Sequence, residues 1–263
     1  MVYTTIQGVL MGTDKDWERW GAEDPYFGVL SSDRFRKNRL DETVKKEFFA
    51  TGSNHIERVF WLINKNFNQA FQPNRALDFG CGVGRIALPL AERTAHTVGM
   101  DISPSMIAEA ADNANSAGIT NVSFVLSDDE FRNVVGEFSL IHSCLVLQHI
   151  PWARGRSVLQ RLADRVEPGG YLAVHFFISS SAPNLVRAAV RLRYALPPLH
   201  WLRNLIKRRP IFEPVMQLHI YNIDTVIGDL KARKFDTPIC CSEPDMDGFK
   251  SVFLIARRMS SIA

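Results

Sequence analysis

Residues 76–85 read ALDFGCGVGR. An apolar strand carries Asp78 near its end, and Gly80, Gly82 and Gly84 follow as GxGxG before the helical run IALPLAER. Glycine at such a strand-to-helix turn lets the backbone bend sharply and approach a ligand where any Cβ would collide. The spacing departs from the dinucleotide fingerprint GxGxxG. Counted from Gly80, the place of its last glycine is taken by Arg85, and the acid precedes the turn. The Gly-Lys-Ser/Thr ending of a phosphate loop is absent as well. On its own the turn fits a purely structural connection equally well.

On both sides of it, short apolar runs alternate with helical ones. RALDFG, HTVGMD, VSFVL, FSLIHSCLV and GGYLAVHFFI read as strands, with IALPLAER, PSMIAEAADNAN and RSVLQRLADRV as helices between them. Strict alternation means βαβ units and a parallel sheet buried on both faces. From about Asn54, the residues Ile56, Val59, Phe60 and Ile63 share a helical face suited to packing on that sheet. Between about Ser179 and Pro214 two amphipathic helical stretches are separated by Pro197 and Pro198. On the first, Leu185, Ala189, Leu192 and Leu196 share a face opposite Arg187 and Arg191. A helix around Thr225–Arg233, a strand near Thr237–Cys241 and a last strand SVFLIAR complete the pattern. The expected fold is α/β, a doubly wound, mostly parallel seven-stranded sheet with an N-terminal arm and a helical insertion after the fifth strand. It divides into an arm and cap (1–53), an α/β core (54–178), a basic insertion (179–214) and a C-terminal completion of the sheet (215–263).

The chain has 263 residues, 46% apolar and 22% charged, which excludes disordered, collagen-like and coiled-coil classes. Lys and Arg total 31 against 28 acids, and a net charge of +3 is too small for a dedicated nucleic-acid binder. Cys81, Cys144, Cys240 and Cys241 form no CxxC pair and have no His-x-x-x-His partner, so neither disulfides nor a metal site are expected. The start MVYTTIQGVLMGTDKDWERW shows no secretory leader, and no apolar run is long enough to span a bilayer. The expected compartment is the cytoplasm.

Two further strand ends carry acids. HTVGMDIS ends in Asp101, 23 residues after Asp78, where a carboxylate can accept both hydroxyls of a ribose. VSFVLSDDEF supplies Asp128 and Asp129, either of which can accept from an adenine amine or simply cap a helix. As a set, over residues 54–178, these motifs resemble the class I S-adenosylmethionine-dependent methyltransferases. The resemblance implies S-adenosyl-L-methionine as cofactor. It places Asp78, Gly80, Cys81, Gly82 and Arg85 around the methionine part, and Asp101, Ile102 and Met106 around the ribose. One of Asp128 and Asp129 falls to the adenine, and Ser143 with Cys144 to the sulfonium.

Methyl transfer to a hydroxyl needs a base, whereas a neutral amine does not. His149 stands in the loop directly after the fourth strand, where open α/β sheets hold their reacting centre. LQHIPWARGRSVLQRLADRVEPGG resembles the corresponding part of small bacterial sugar and natural-product O-methyltransferases, which implies a general-base role for His149. His175 in the fifth strand, His219 and Tyr221 are expected substrate contacts, each equally suited to packing. The aromatic arm adds Trp17 and Trp20 as stacking surfaces for a sugar, with Tyr26, Phe27 and Arg36 closing the methionine end. Between Glu167 and Glu213 no acid occurs, while Arg187, Arg191, Arg193, Arg203, Lys207, Arg208 and Arg209 do. Three readings of 187–209 stay open: a lid over an anionic acceptor, a contact with anionic membrane, and a solvated face. The leading expectation is O-methylation of a sugar, glycan or related small molecule. N-methylation of a small amine and a non-catalytic cofactor-binding or membrane-surface scaffold are the alternatives, and the oligomeric state is left open.

Overall fold

The computed structural model describes residues 12–67, 70–183, 186, 189–190, 192, 194, 196–246 and 248–260. Leu185, Arg187, Arg191 and Arg193 of the insertion lie outside the described residues, as do residues 1–11. The chain opens with helices α1 (Gly12–Glu23) and α2 (Pro25–Val29), two short 3-10 turns and the long helix α3 (Glu42–Phe67). Then follow β1 (Arg75–Phe79), α4 (Ala87–Ala91), β2 (His96–Asp101), α5 (Pro104–Ala117), β3 (Val122–Leu126) and β4 (Phe138–Ser143). After a 3-10 turn at Leu147–His149 come α6 (Trp152–Asp164), β5 (Val166–Ser180), α7 (Pro197–Ile206), α8 (Ile223–Ala232), β6 (Ile239–Ser242) and β7 (Phe249–Arg257).

The seven strands form one sheet in the order β3-β2-β1-β4-β5-β7-β6, with β7 antiparallel to both β5 and β6 and the other pairs parallel. The expected mostly parallel, seven-stranded sheet is therefore the observed one. Side chains alternate across it with the two-residue period of a strand. Ala76, Leu140 and Tyr171 face the α3 layer with Ile56, Val59 and Ile63, while Leu77, Ile141 and Leu172 face α6 and α8 with Val158, Leu162, Val226 and Leu230. Burial on both faces explains why the strands read as continuous apolar runs.

Local signals set the helix ends. The Ser103 side chain accepts from the Met106 amide at the start of α5, Gly118 closes that helix at φ 69°, and Asn222 caps α8 through the Thr225 amide. The helix expected from about Asn54 begins twelve residues earlier, at Glu42, where the Asp41 carboxylate accepts from the Val44 amide. A third cluster joins Trp20, Tyr26, Phe27, Phe35 and Phe48 of the N-terminal region to Val83 and Met106 of the sheet domain. The strand order reverses between β1 and β4, and this switch point at the carboxyl edge is where open α/β sheets bind ligands. Among the described residues, no helix is long and apolar enough to cross a membrane.

Candidate active site

A cleft runs along the carboxyl ends of β1, β2 and β3 and then over the segment after β4. Gly80 and Gly82 floor it at one end, Asp101, Ile102 and Met106 line its middle, and Ser127 and Asp129 its far end. Gly80 has φ 76° and Gly82 φ 52°, and a Cβ on either would collide with Val146 or Val29 respectively. The GxGxG spacing is thus explained by two left-handed residues beneath closely packed neighbours. Asp101 is held by the Gly82 amide at 2.8 Å and the Ser103 amide at 3.0 Å. Burial, with help from the Asp78 charge, pushes its carboxyl up to about 6 against those amide bonds.

The N-terminal arm covers this cleft, through Thr13, Asp14 and Trp17 of α1 and Gly28 and Val29 of α2. Glu18 fastens it, accepting from the Ser103 hydroxyl at 2.6 Å and the Ser105 hydroxyl at 2.7 Å at the start of α5. Arg154 of α6 pins both sides, binding Asp129 through Nε at 2.8 Å and Asp14 through Nη1 at 2.7 Å.

His149 lines the same cleft, with the Trp17 ring edge-on to it at 4.7 Å. Its Nδ1 lies 2.9 Å from the Gln217 carbonyl, which can only accept, so the proton sits on Nδ1 and Nε2 keeps a lone pair. Burial lowers the imidazole to about 4, with His219 and His175 adding to the effect and the Gln217 carbonyl opposing it.

A second cavity, of mixed lining, lies on the other side of Cys144 and Leu145, which line both spaces. Leu145 has φ 63°, a left-handed conformation that costs a branched side chain energy and recurs at functional turns. Thr51 and His55 of α3, Arg85, His175 of β5 and Glu243 supply its polar groups, and Pro244, Met246 and Phe253 its apolar wall. Beside it runs a buried chain: Asp78 Oδ1 is 3.0 Å from His142 Nδ1, and His142 Nε2 is 2.9 Å from His55 Nε2.

The structure gathers Gly80, Gly82, Asp101, Ile102, Met106, Asp129, Trp17 and His149 at the cleft. Asp78 turns to His142 instead. Ser143 donates to the Phe79 carbonyl at 2.9 Å, and Cys81 is buried beneath the turn. Asp128 accepts from the amides of Glu130 and Arg132 in its own loop, away from the cleft. Arg85 and His175 line the second cavity rather than the cleft. Tyr26 is a core residue whose hydroxyl bonds Glu109 and Asn113, and the Tyr221 hydroxyl donates to the Ile150 carbonyl. Arg36 is committed to Asp24 and Glu213 with its guanidinium over Phe27. His219 anchors its own segment through its amide to the Gln148 carbonyl. Sequence reasoning missed Asp14, Val29 and Arg154 at the cleft and Thr51, His55 and Glu243 at the cavity. Contacts between segments so far apart leave no local pattern to read.

Residues 76–170 match the family model described as a methyltransferase domain. The chain is 45% identical over 73 residues to a 23S rRNA (uracil(1939)-C(5))-methyltransferase of Shewanella sediminis, covering 27% of this chain and 15% of that protein. It is 36% identical over 110 residues to aklanonic acid methyltransferase of Streptomyces sp. strain C5, covering 38% of this chain and 46% of the relative. It thus spans less than half the length of these two relatives. The crystal structure of an N-methyltransferase from Bradyrhizobium japonicum in complex with S-adenosyl-L-homocysteine superposes with a TM-score of 0.59 at 16% identity, over 94% of this chain and 98% of that one. Residues 76–170 therefore carry a methyltransferase domain, and the seven-stranded sheet has the Rossmann-like fold of the methyltransferase structure it superposes on.

Proposed function

We propose that the protein transfers the methyl group of S-adenosyl-L-methionine to a hydroxyl of a small acceptor, a sugar or glycan, with His149 as general base. The observation that carries this reading is the Gln217 carbonyl on His149 Nδ1, which leaves Nε2 as an acceptor inside the same cleft as the glycine turn and Asp101.

The cleft suits the cofactor by its donor set. Gly80 and Gly82 line the cleft with backbone, Asp101 retains lone pairs for a ribose, and Asp129 stands at the far end for an adenine amine. When bound there, the cofactor supplies an activated methyl, so no group of the chain needs to activate the leaving sulfur. The chain's tasks are to align the acceptor, to exclude water and to take its proton. Trp17 and Val29 cover the cleft, and Trp17 offers an aromatic face beside His149 on which a sugar ring can stack. The acceptor hydroxyl would give its proton to His149 Nε2, and the Gln217 carbonyl would steady the imidazolium so formed.

The chain covers only 15% of the rRNA relative's length, so that relative's substrate does not carry over. In the same reading the enzyme works in the cytoplasm on a small or glycan acceptor, and residues 179–214 act as a lid. Support for the lid comes from Arg36, which ties Glu213 to the arm at 2.7 Å.

The test is His149→Ala. S-adenosyl-L-homocysteine should bind it with the wild-type Kd by calorimetry, while methyl transfer to the best acceptor of a sugar and amine panel falls by about 10²–10⁴-fold. Wild-type turnover in the variant would remove His149 from the mechanism, and preferential methylation of amines would replace the O-methyl reading.

A further inference from the structure

Arg85 is a buried cation that lacks a carboxylate. It is 5% exposed, yet its one side-chain hydrogen bond with a stated length is a long 3.4 Å contact from Nη1 to the Thr51 hydroxyl. Its Nε has no partner. The thiol of Cys144 is its other polar neighbour. Among the described residues no acid lies within ion-pair distance of it, and the nearby Glu243 spends both oxygens on Arg58, at 3.0 and 2.6 Å. Asp78 gives Oδ1 to His142 at 3.0 Å, and its Oδ2 is buried without a partner, out of ion-pair reach of Arg85. A guanidinium taken out of water without a counter-charge is costly, so such groups are normally paired.

Arg85 also lines the second cavity, and so does His175, 4% exposed, whose Nδ1 likewise has no partner. Two residues 90 positions apart, each with a buried nitrogen that lacks a partner, therefore border one space beside Thr51 and His55. The space meets the cofactor cleft along Cys144 and the left-handed Leu145.

We infer that this cavity is an oxyanion subsite, in which Arg85, steadied by the Thr51 hydroxyl that donates to the Phe48 carbonyl, and His175 receive a carboxylate or phosphate carried by the acceptor while the acceptor's nucleophile reaches the cleft past Cys144 and Leu145. A guanidinium fork matches either group, through paired N–H donors that a neutral sugar cannot satisfy equally well. The inference rests on the methyltransferase reading only for the identity of the ligand as acceptor. Binding of the anion itself does not depend on it.

The experiment uses the full chain labelled at the histidine imidazoles and titrated with succinate, with inorganic phosphate and with chloride at matched ionic strength. His55 and His175 resonances should shift saturably with succinate or phosphate and not with chloride. The stronger of the two arms identifies the headgroup. Arg85→Met should weaken that isotherm at least ~10-fold, the loss typical of a charge-assisted hydrogen bond, and Arg85→Lys should restore part of it. S-adenosyl-L-homocysteine binding reports whether each variant is folded. Should Arg85→Met fail that control, Thr51→Val and His175→Asn serve in its place. With labelled cofactor, an acid- or phosphate-bearing sugar should exceed its neutral counterpart in kcat/KM by ~10-fold or more, and the preference should vanish in Arg85→Met. Equal shifts with chloride, or isotherms unchanged in folded variants, overturn the subsite. Succinate binding without any S-adenosyl-L-homocysteine binding would keep the subsite and overturn the methyltransferase reading instead.

Discussion

His149 Nδ1 and the Gln217 carbonyl, 2.9 Å apart, fix which imidazole nitrogen can take a proton, and the burial that lowers the ring to about 4 fixes when it can. A depressed value means the neutral, accepting form persists on acidification. At pH 5 about 90% of His149 is neutral, against roughly 3% for an ordinary imidazole. With cofactor and acceptor saturating, kcat should therefore hold to about pH 5 and fall only toward pH 4. An acid limb centred near 6.5 would exclude His149 as the titrating base. Asp101 behaves with the opposite sign. Its carboxyl is raised to about 6, so acidification protonates it early and removes an acceptor from the middle of the cleft, where the proposal puts the ribose. The Kd for S-adenosyl-L-homocysteine should weaken about tenfold from pH 7 to pH 5, and Asp101→Asn should bind weakly at both. Both residues were legible in the sequence because Asp101 ends a strand and His149 stands in the segment that leaves one. Tyr26 and Ser143 were misplaced at the cleft because a side chain's partner, here Glu109 or the Phe79 carbonyl, is decided by packing rather than by position along the chain.

The elements around the cleft show why a motif can be read and its cover cannot. Glycines spaced GxGxG after an apolar strand announce a turn because only backbone without a Cβ tolerates it. That Val29 of α2 lies over Gly82 depends on how the arm folds back, anchored by Glu18 at the start of α5. The arm does lie against the cleft, through Trp17, Gly28 and Val29 and not through Tyr26 and Phe27, which are buried in the core. Gly82→Ala should cost two separable penalties. The left-handed φ of 52° costs roughly 1–2 kcal/mol for an L-residue, and the new methyl pushes Val29 and the arm away from the cleft. Chemical denaturation should show the first penalty, and weaker S-adenosyl-L-homocysteine binding the second. Adding Val29→Ala should recover binding but not the backbone cost. Recovery of both would place the whole effect in the collision.

At the scale of the whole molecule, the sheet was legible because its strands are buried on both faces, whereas the joint between the arm and the end of the insertion was not. Arg36 makes that joint, reaching Asp24 at 3.2 Å and Glu213 at 2.7 Å while its guanidinium carbon sits 3.3 Å from the Phe27 ring centroid. Residues 177 positions apart leave no periodicity for a sequence to display. The Glu213 side chain is 6% exposed and Arg36 18%, so loss of one partner strands a charge that water cannot fully reach. Arg36→Met should destabilise the fold by about 3 kcal/mol, less whatever the half-exposed Arg209 at 3.4 Å from Glu213 retains. Glu213→Gln should cost less, because Arg36 keeps Asp24 and the Phe27 face. The double variant should be more stable than Arg36→Met alone, since the stranded carboxylate is gone. Urea unfolding of the four proteins measures the coupling, and acceptor KM in the double variant decides between the two roles considered for Arg36. An unchanged KM assigns it to the joint, whereas a rise in KM without loss of stability would return it to the acceptor site.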